Sequence, residues 1–137
     1  MAAKMTGGCQ CGGIRYEVTG VPQQVCVCHC THCQRQSGSA FGMALVVNAA
    51  NFRLTQGEPR TYASTSDTGR AKLGAFCPGC GTRIYHKPEW REGMLSVRAG
   101  TLDNTSMLKP DVHIWTSSKQ PWITIPEGVE SHEKNPS

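Results

Sequence analysis

Cys9-Gln10-Cys11, Cys28-His29-Cys30-Thr31-His32-Cys33 and Cys77-Pro78-Gly79-Cys80-Gly81 hold seven of the chain's eight cysteines. Read as metal ligands, they divide into a set of four and a set of three. Cys9, Cys11, Cys77 and Cys80 fill a tetrahedral zinc and close it. Cys28, Cys30 and Cys33 leave one coordination position open, and an open position separates a catalytic zinc from a structural one. The set of four joins residues on either side of a 65-residue separation, so its metal would tie the N-terminal strand to the middle of a sheet. Structural zinc contributes on the order of 10–16 kcal/mol of apparent binding energy in small domains. Net stability is typically about 5–15 kcal/mol. On that scale the metal decides whether the domain folds.

Other readings stand beside these. The set of four also reads as reduced buried thiols, or Cys77/Cys80 as a redox dithiol, although no βαβ pattern surrounds them. Gly79 and Gly81 are expected to supply positive φ in the knuckle, with its amides aimed at the sulfurs. Cys26 is either a fourth ligand to the second cluster or a small buried or spare thiol. Residues at i, i+2 and i+4 on a straight strand span about 13 Å. Sulfurs around one zinc sit only about 4 Å apart. The geometry favours the spare thiol. His29 is expected to point away from the metal if Cys28 and Cys30 point toward it, and His29 and His32 read as solvent-facing or supporting residues.

Length and composition set the frame. A chain of 137 residues is most simply one domain with a real core. Eight cysteines are about 6% of it, below the level of a disulfide scaffold. No apolar run near the N-terminus suggests a secretory leader, and no stretch approaches the roughly 20 apolar residues of a membrane span. These features predict a cytoplasmic protein, in a reducing compartment where clustered cysteines bind metal more often than they pair. The net charge of +4 is scattered, without a basic stripe, which argues against nucleic acid as a partner.

The pattern is mainly β. Ile14, Tyr16 and Val18 alternate with polar residues, and Met43 to Val47, Leu73 to Phe76, Thr82 to Tyr85, Leu95 to Ala99 and Ile123 to Ile125 read as further strands. Phe52/Leu54 and Thr61 to Ala63 suggest a hairpin around Gln56-Gly57-Glu58-Pro59. Thr31 to Gln36 supports one helical turn. A domain over residues 1–126 is expected, with a polar, loosely held tail over 127–137.

A three-thiolate zinc is formally −1 and suits a soft ligand in its fourth place, most naturally a thiolate. Ionising a thiol of pKa about 8.5 gains roughly 30-fold at neutral pH, but most of that gain is returned as nucleophilicity falls with pKa. The larger benefit comes from holding the thiol beside its electrophile. The chemistry therefore points to thiol capture and C–S bond formation or cleavage.

Gly8-Cys9-Gln10-Cys11-Gly12 with Ile14-Arg15-Tyr16, the Cys28-His29-Cys30-Thr31-His32-Cys33 run, Ser37-Gly38-Ser39-Ala40-Phe41 and Phe76-Cys77-Pro78-Gly79-Cys80-Gly81 resemble the glutathione-dependent formaldehyde-activating enzyme family, which includes centromere protein V. Ala99-Gly100-Thr101-Leu102-Asp103 and His113-Ile114-Trp115 with Trp122 resemble its C-terminal signatures. The resemblance implies antiparallel sheets of β-tent type. It implies two Zn²⁺ per chain: a structural one on Cys9, Cys11, Cys77 and Cys80, and a catalytic one on Cys28, Cys30 and Cys33. It further implies a carbon–sulfur lyase that condenses formaldehyde with glutathione, so that the partners are a small thiol and a small electrophile. The alternatives are a non-catalytic two-zinc binding module and a thiol or metal sensor using Cys26. Four residues read two ways: Ser37 and Ser39 as donors to a bound carbonyl or as backbone caps, Asp103 as an acid/base or a turn cap, and His113 as a pocket group or a satisfied strand histidine. Trp115 and Trp122 read as core or sheet-edge aromatics.

Overall fold

Hydrophobic alternation organises the chain into two sheets. The computed structural model describes residues 4–65 and 69–135. Strands β1 (Lys4–Gly8), β2 (Arg15–Thr19) and β5 (Phe52–Gln56) form a three-stranded antiparallel sheet in the order β1-β2-β5. The other strands are β3 (Gln24–Cys28), β4 (Gly42–Asn48), β6 (Arg60–Thr65), β7 (Ala71–Phe76), β8 (Arg83–Pro88), β9 (Met94–Arg98), β10 (Val112–Ile114) and β11 (Glu130–Ser131). They form an eight-stranded sheet in the order β11-β10-β3-β4-β9-β8-β7-β6. The expected mainly β class holds. The sheet is antiparallel except at one edge, where β10 runs parallel to β3 and β11 parallel to β10. Helix α1 (Thr31–Ser37) sits between β3 and β4, where one turn was expected.

The large sheet has two unlike faces, because successive side chains on a strand point to opposite sides. Leu45 and Val47 on β4 and Leu95 and Val97 on β9 belong to the core, packed with Ile14, Tyr16 and Val18 of the small sheet. Tyr16 stacks on Phe52 at 5.1 Å, and Phe52 meets Tyr85 of β8 edge-on at 5.2 Å, so three rings bridge the sheets. The alternate residues, Cys26 and Cys28 on β3, Ala44 and Val46 on β4, Ser96 and Arg98 on β9, line a cavity on the opposite side. Register aligns them across strands, with Cys26 opposite Ala44, Ala44 opposite Arg98, and Val46 opposite Ser96.

Three local expectations are corrected. The hairpin around Gln56–Pro59 does not form: Phe52–Gln56 pairs with β2 and Arg60–Thr65 with β7, so the connection changes sheets. Ile123–Ile125 is not a strand, consistent with Pro121 and Pro126 flanking a segment too short to pair without their amides. The tail is not loose over residues 130–135. The Trp115 and Thr116 amides donate to Lys134 and His132 carbonyls, and the His132 amide donates back to His113. The last two residues of the tail lie outside the described residues.

Leu45 is 1% exposed and belongs to the core cluster that joins the two sheets. Leu45→Ala should lower stability by about 2–5 kcal/mol, read from chemical unfolding midpoints.

Candidate metal and active site

The N-terminal clip and the knuckle meet as the spacing predicted. Cys9 and Cys11 follow β1, Cys77 and Cys80 follow β7, and their four Sγ atoms lie within 4.8 Å of one another. Cys9 and Cys11 sulfurs are 3.5 Å apart, Cys11 and Cys77 sulfurs 3.7 Å. A tetrahedron with 2.3 Å bonds has edges of about 3.8 Å. The spacing therefore suits zinc, and all eight cysteines are free thiols.

Backbone amides already serve these sulfurs. Ile14 N–H donates to Cys9 at 3.2 Å and Gly79 N–H to Cys77 at 3.3 Å. Only Gly81 of the two knuckle glycines takes positive φ, at 81°; Gly79 instead contributes its amide. The Thr82 side chain and backbone, with the Cys11 backbone, hold the Cys80 thiol down to about 5. Gln10 N–H donates to the same Thr82 hydroxyl, linking clip to knuckle.

Cys28 ends β3, Cys30 caps α1, and Cys33 lies in its first turn. Their sulfurs also lie within 4.8 Å of one another, and among the described residues no further His, Cys, Asp or Glu joins the group. Cys33 N–H donates to Cys30 Sγ at 3.3 Å. The Cys30 thiol is lowered to about 2 by hydrogen bonds from Cys28 and then Cys33. Cys28 is raised, first by its bond to Cys30. Three sulfurs this close form a donor set that can hold a soft cation.

Cys26 lines the same cavity outside that group, the place strand geometry favoured for it. Burial pushes its thiol up to about 11. The cavity has a volume of about 130 Å³. Arg98, Arg91 and Lys72 line it, and among the described residues no carboxylate does. Gly42 makes the approach of Arg98 possible. A Cβ there would collide with Arg98 Nη2 and sit 3.1 Å from Cys33 Cβ. A cation therefore lies beside the thiolate cluster, where it offsets negative charge.

Trp90 and Trp115 also line this cavity. Trp115 is not a core aromatic. It has φ 58°, the one non-glycine positive φ among the described residues, and its indole donates to Asn135 Oδ1 at 3.0 Å. The tail thus holds a strained backbone that aims a large ring at the cavity. Trp122 is 72% exposed, neither core nor site.

The remaining candidates resolve by their partners. His29 is fully buried rather than solvent-facing, and its Nε2 is 2.9 Å from Nδ1 of His113, with the rings stacked. Burial holds the His29 imidazole down, to about 4, with His113 adding to this. His113 is therefore a satisfied strand histidine. His32 lines the cavity. Ser37, in the last turn of α1, donates back to the Cys33 carbonyl at 2.8 Å, and Ser39 lies in an exposed loop. Asp103 pairs with Arg15 and accepts from the Thr6 hydroxyl at 2.6 Å, latching β1 and β2 to the turn after β9. Arg15 and then Thr6 hold its carboxyl down to about 2. Sequence reading missed His86, Arg98, Lys72, Arg91 and Trp90. Only the strand alternation of β8 and β9 pointed to any of them.

The sequence model of the glutathione-dependent formaldehyde-activating enzyme family matches residues 4–118. A crystal structure of a Rhodobacter sphaeroides protein is similar in fold, with a TM-score of 0.60 at 21% identity, over 75% of this chain and 92% of that one.

Cys80→Ala should lose metal and cooperative thermal unfolding together, whereas Cys30→Ala should lose about one metal per chain and keep its melting transition. Metal content and calorimetry on the same samples check the pair; global unfolding of Cys30→Ala would reverse the division of the clusters. Gly42→Val should crowd Arg98 against Cys33 and weaken metal retention at the second cluster alone, measured by competition with a chelator.

Proposed function

This chain belongs to the glutathione-dependent formaldehyde-activating enzyme family, and from that premise we propose that it is a carbon–sulfur lyase joining a small thiol such as glutathione to formaldehyde or a comparably small carbonyl. One observation carries the reading. Among the described residues, three cysteines converge without a fourth protein ligand, at the wall of a cavity whose charged lining residues are cationic.

Two Zn²⁺ fit the two sulfur sets, and at Cys28, Cys30 and Cys33 the metal would supply an open position that holds and ionises the thiol. The protein's own residues do the rest. Arg98, Arg91 and Lys72 offset the charge of thiolates and attract an anionic thiol such as glutathione. Trp90 and Trp115 cover the chamber, which lowers the local dielectric and strengthens those charges. A dry cavity of about 150 Å³ accommodates benzene. At about 130 Å³ this one takes the reacting end of a thiol with a one- or two-carbon electrophile, the rest of a tripeptide lying outside. In the reaction a C–S bond forms as the carbonyl π pair moves to oxygen. The thiol's proton is lost on binding, and one proton returns to that oxygen. The eight free thiols suit a reducing, cytoplasmic setting.

Cobalt replacement tests the reading. A sulfur-to-metal charge-transfer band and ligand-field bands should shift on addition of millimolar glutathione. Cys30→Ala should abolish the shift. Formation of S-hydroxymethylglutathione, followed by exchange NMR, should exceed the uncatalysed rate. An unchanged spectrum with a panel of thiols would turn the second cluster into a closed or oxygen-binding site and leave the two-zinc binding module. Trp115→Ala should raise the apparent glutathione Kd about fivefold while leaving metal content unchanged, since an aromatic contact contributes about 1 kcal/mol.

A further inference from the structure

Four buried polar side-chain atoms among the described residues have no hydrogen-bond partner, and two of them are histidine nitrogens. One is Nδ1 of His29, whose ring is already engaged with His113 and does not line the cavity beside the cysteines. The other is Nε2 of His86. This residue is 6% exposed and lines the cavity with Cys28, Cys30 and Cys33. An orphaned buried polar group costs about 1–3 kcal/mol, and native structures keep few of them without a use.

Its surroundings explain why the nitrogen has no partner. On β8, His86 lies opposite Ser96 of β9 on one side and Gly74 of β7, which has no side chain, on the other. Arg98 is two residues beyond Ser96 and projects to the same face. Burial first, then Arg98, Lys72 and Arg83, hold the imidazole down to about 3, so it is neutral at physiological pH. A neutral imidazole carries one N–H donor. His86 is not a ligand of the cysteine group, since none of its atoms joins the 4.8 Å cluster.

We propose that His86 is a catalytic residue that donates a hydrogen bond from Nε2–H to the oxygen of the carbonyl electrophile attacked at the Cys28/Cys30/Cys33 cluster. This rests on the thiol-plus-carbonyl reading above. As the C–S bond forms, the π pair moves to oxygen and negative charge grows there. A donor pre-placed in a buried wall stabilises that charge without reorganising, and Arg98 beside it adds a positive field. His86 keeps its proton throughout. The proton that completes the hydroxymethyl group comes from solvent and balances the one released when the thiol binds. The unsatisfied nitrogen in the free protein is the counterpart of this role, because its partner arrives with the substrate.

The test uses the full metal-loaded chain as wild type, His86→Leu and His86→Gln. Thermal melting, the glutathione Kd from the cobalt spectrum, and the rate of adduct formation from formaldehyde are measured on each. His86→Leu should melt no lower than wild type, bind glutathione within about threefold, and lose at least about tenfold in turnover, as loss of one such donor does. His86→Gln, whose amide reaches the position of Nε2, should recover part of the rate. Glutathione binding with undiminished turnover in His86→Leu overturns the proposal and leaves the thiol reading intact. A weaker Kd with unchanged turnover at saturation also overturns it, because His86 would then contact the thiol. No thiol response and no rate in wild type would remove both. If His86→Leu does not fold, His86→Gln should exceed His86→Asn about tenfold in rate, and equality of the two would reject the assignment.

Discussion

The clasp of Cys9 and Cys11 onto Cys77 and Cys80 is the contact on which the arrangement of the two sheets depends. It lies where β1 leaves the small sheet and β7 leaves the large one. A domain of this size closes many long-range contacts at a large entropic cost, and its net stability is small. A metal bound by four thiolates is comparable to that whole net stability. The amides of Ile14 and Gly79 already point at the sulfurs, so the loops are shaped for negative charge there. The Asp103 latch to Arg15 and Thr6 and the ring contacts of Tyr16, Phe52 and Tyr85 join the same two layers. They are individually weak by comparison, and the ion pair is partly solvent-exposed.

With one face of the large sheet committed to the core, the other is free to form a chamber. Strand alternation does this without extra machinery. Leu45 and Val47 face the small sheet, so Ala44 and Val46 cannot; Val97 faces it, so Ser96 and Arg98 cannot. The second cysteine cluster closes one side of the chamber, and the C-terminal tail holds Trp115 on another. The chamber's chemistry follows from its contents. Thiolates repel one another unless a cation intervenes, and three cationic side chains, with no carboxylate among the described lining residues, supply a field that favours anions. The same field, added to burial, keeps His86 neutral.

Much of the cysteine chemistry was legible because it is written in short spacings. Clustered thiols need only local geometry to share a metal, and Cys26 could be set aside by the length of a strand. The helical turn at Thr31–Ser37 is likewise local: Cys30 caps it and Gly38 ends it in a left-handed conformation. The signal at Gly57-Glu58-Pro59 was also local and correctly marks a break between strands, with Gly57 at φ 77°. It misled about pairing, because Phe52–Gln56 joins the small sheet, where Phe52 stacks on Tyr16, while Arg60–Thr65 joins the large one. The tail looked loose because Glu130 to Asn135 is polar, but its hold is made by backbone hydrogen bonds, which leave no trace in side-chain character.

By itself the sequence determined the mainly β class and the gathering of seven thiols into three short clusters, since these depend on residue type and on distances within a few positions; that the first and third clusters meet as a set of four across 65 residues is a tertiary fact. Only the tertiary structure decided that His29 is buried against His113, that Asp103 is a latch, and that Lys72, His86, Arg91 and Arg98 line one cavity with Cys28, Cys30 and Cys33. Those residues come from β7, β8, the turn after it, and β9. They are distant in sequence from Cys28–Cys33 and become neighbours only through strand register. A one-residue slip of register would turn His86, Ser96 and Arg98 into the core and leave the chamber without its polar wall.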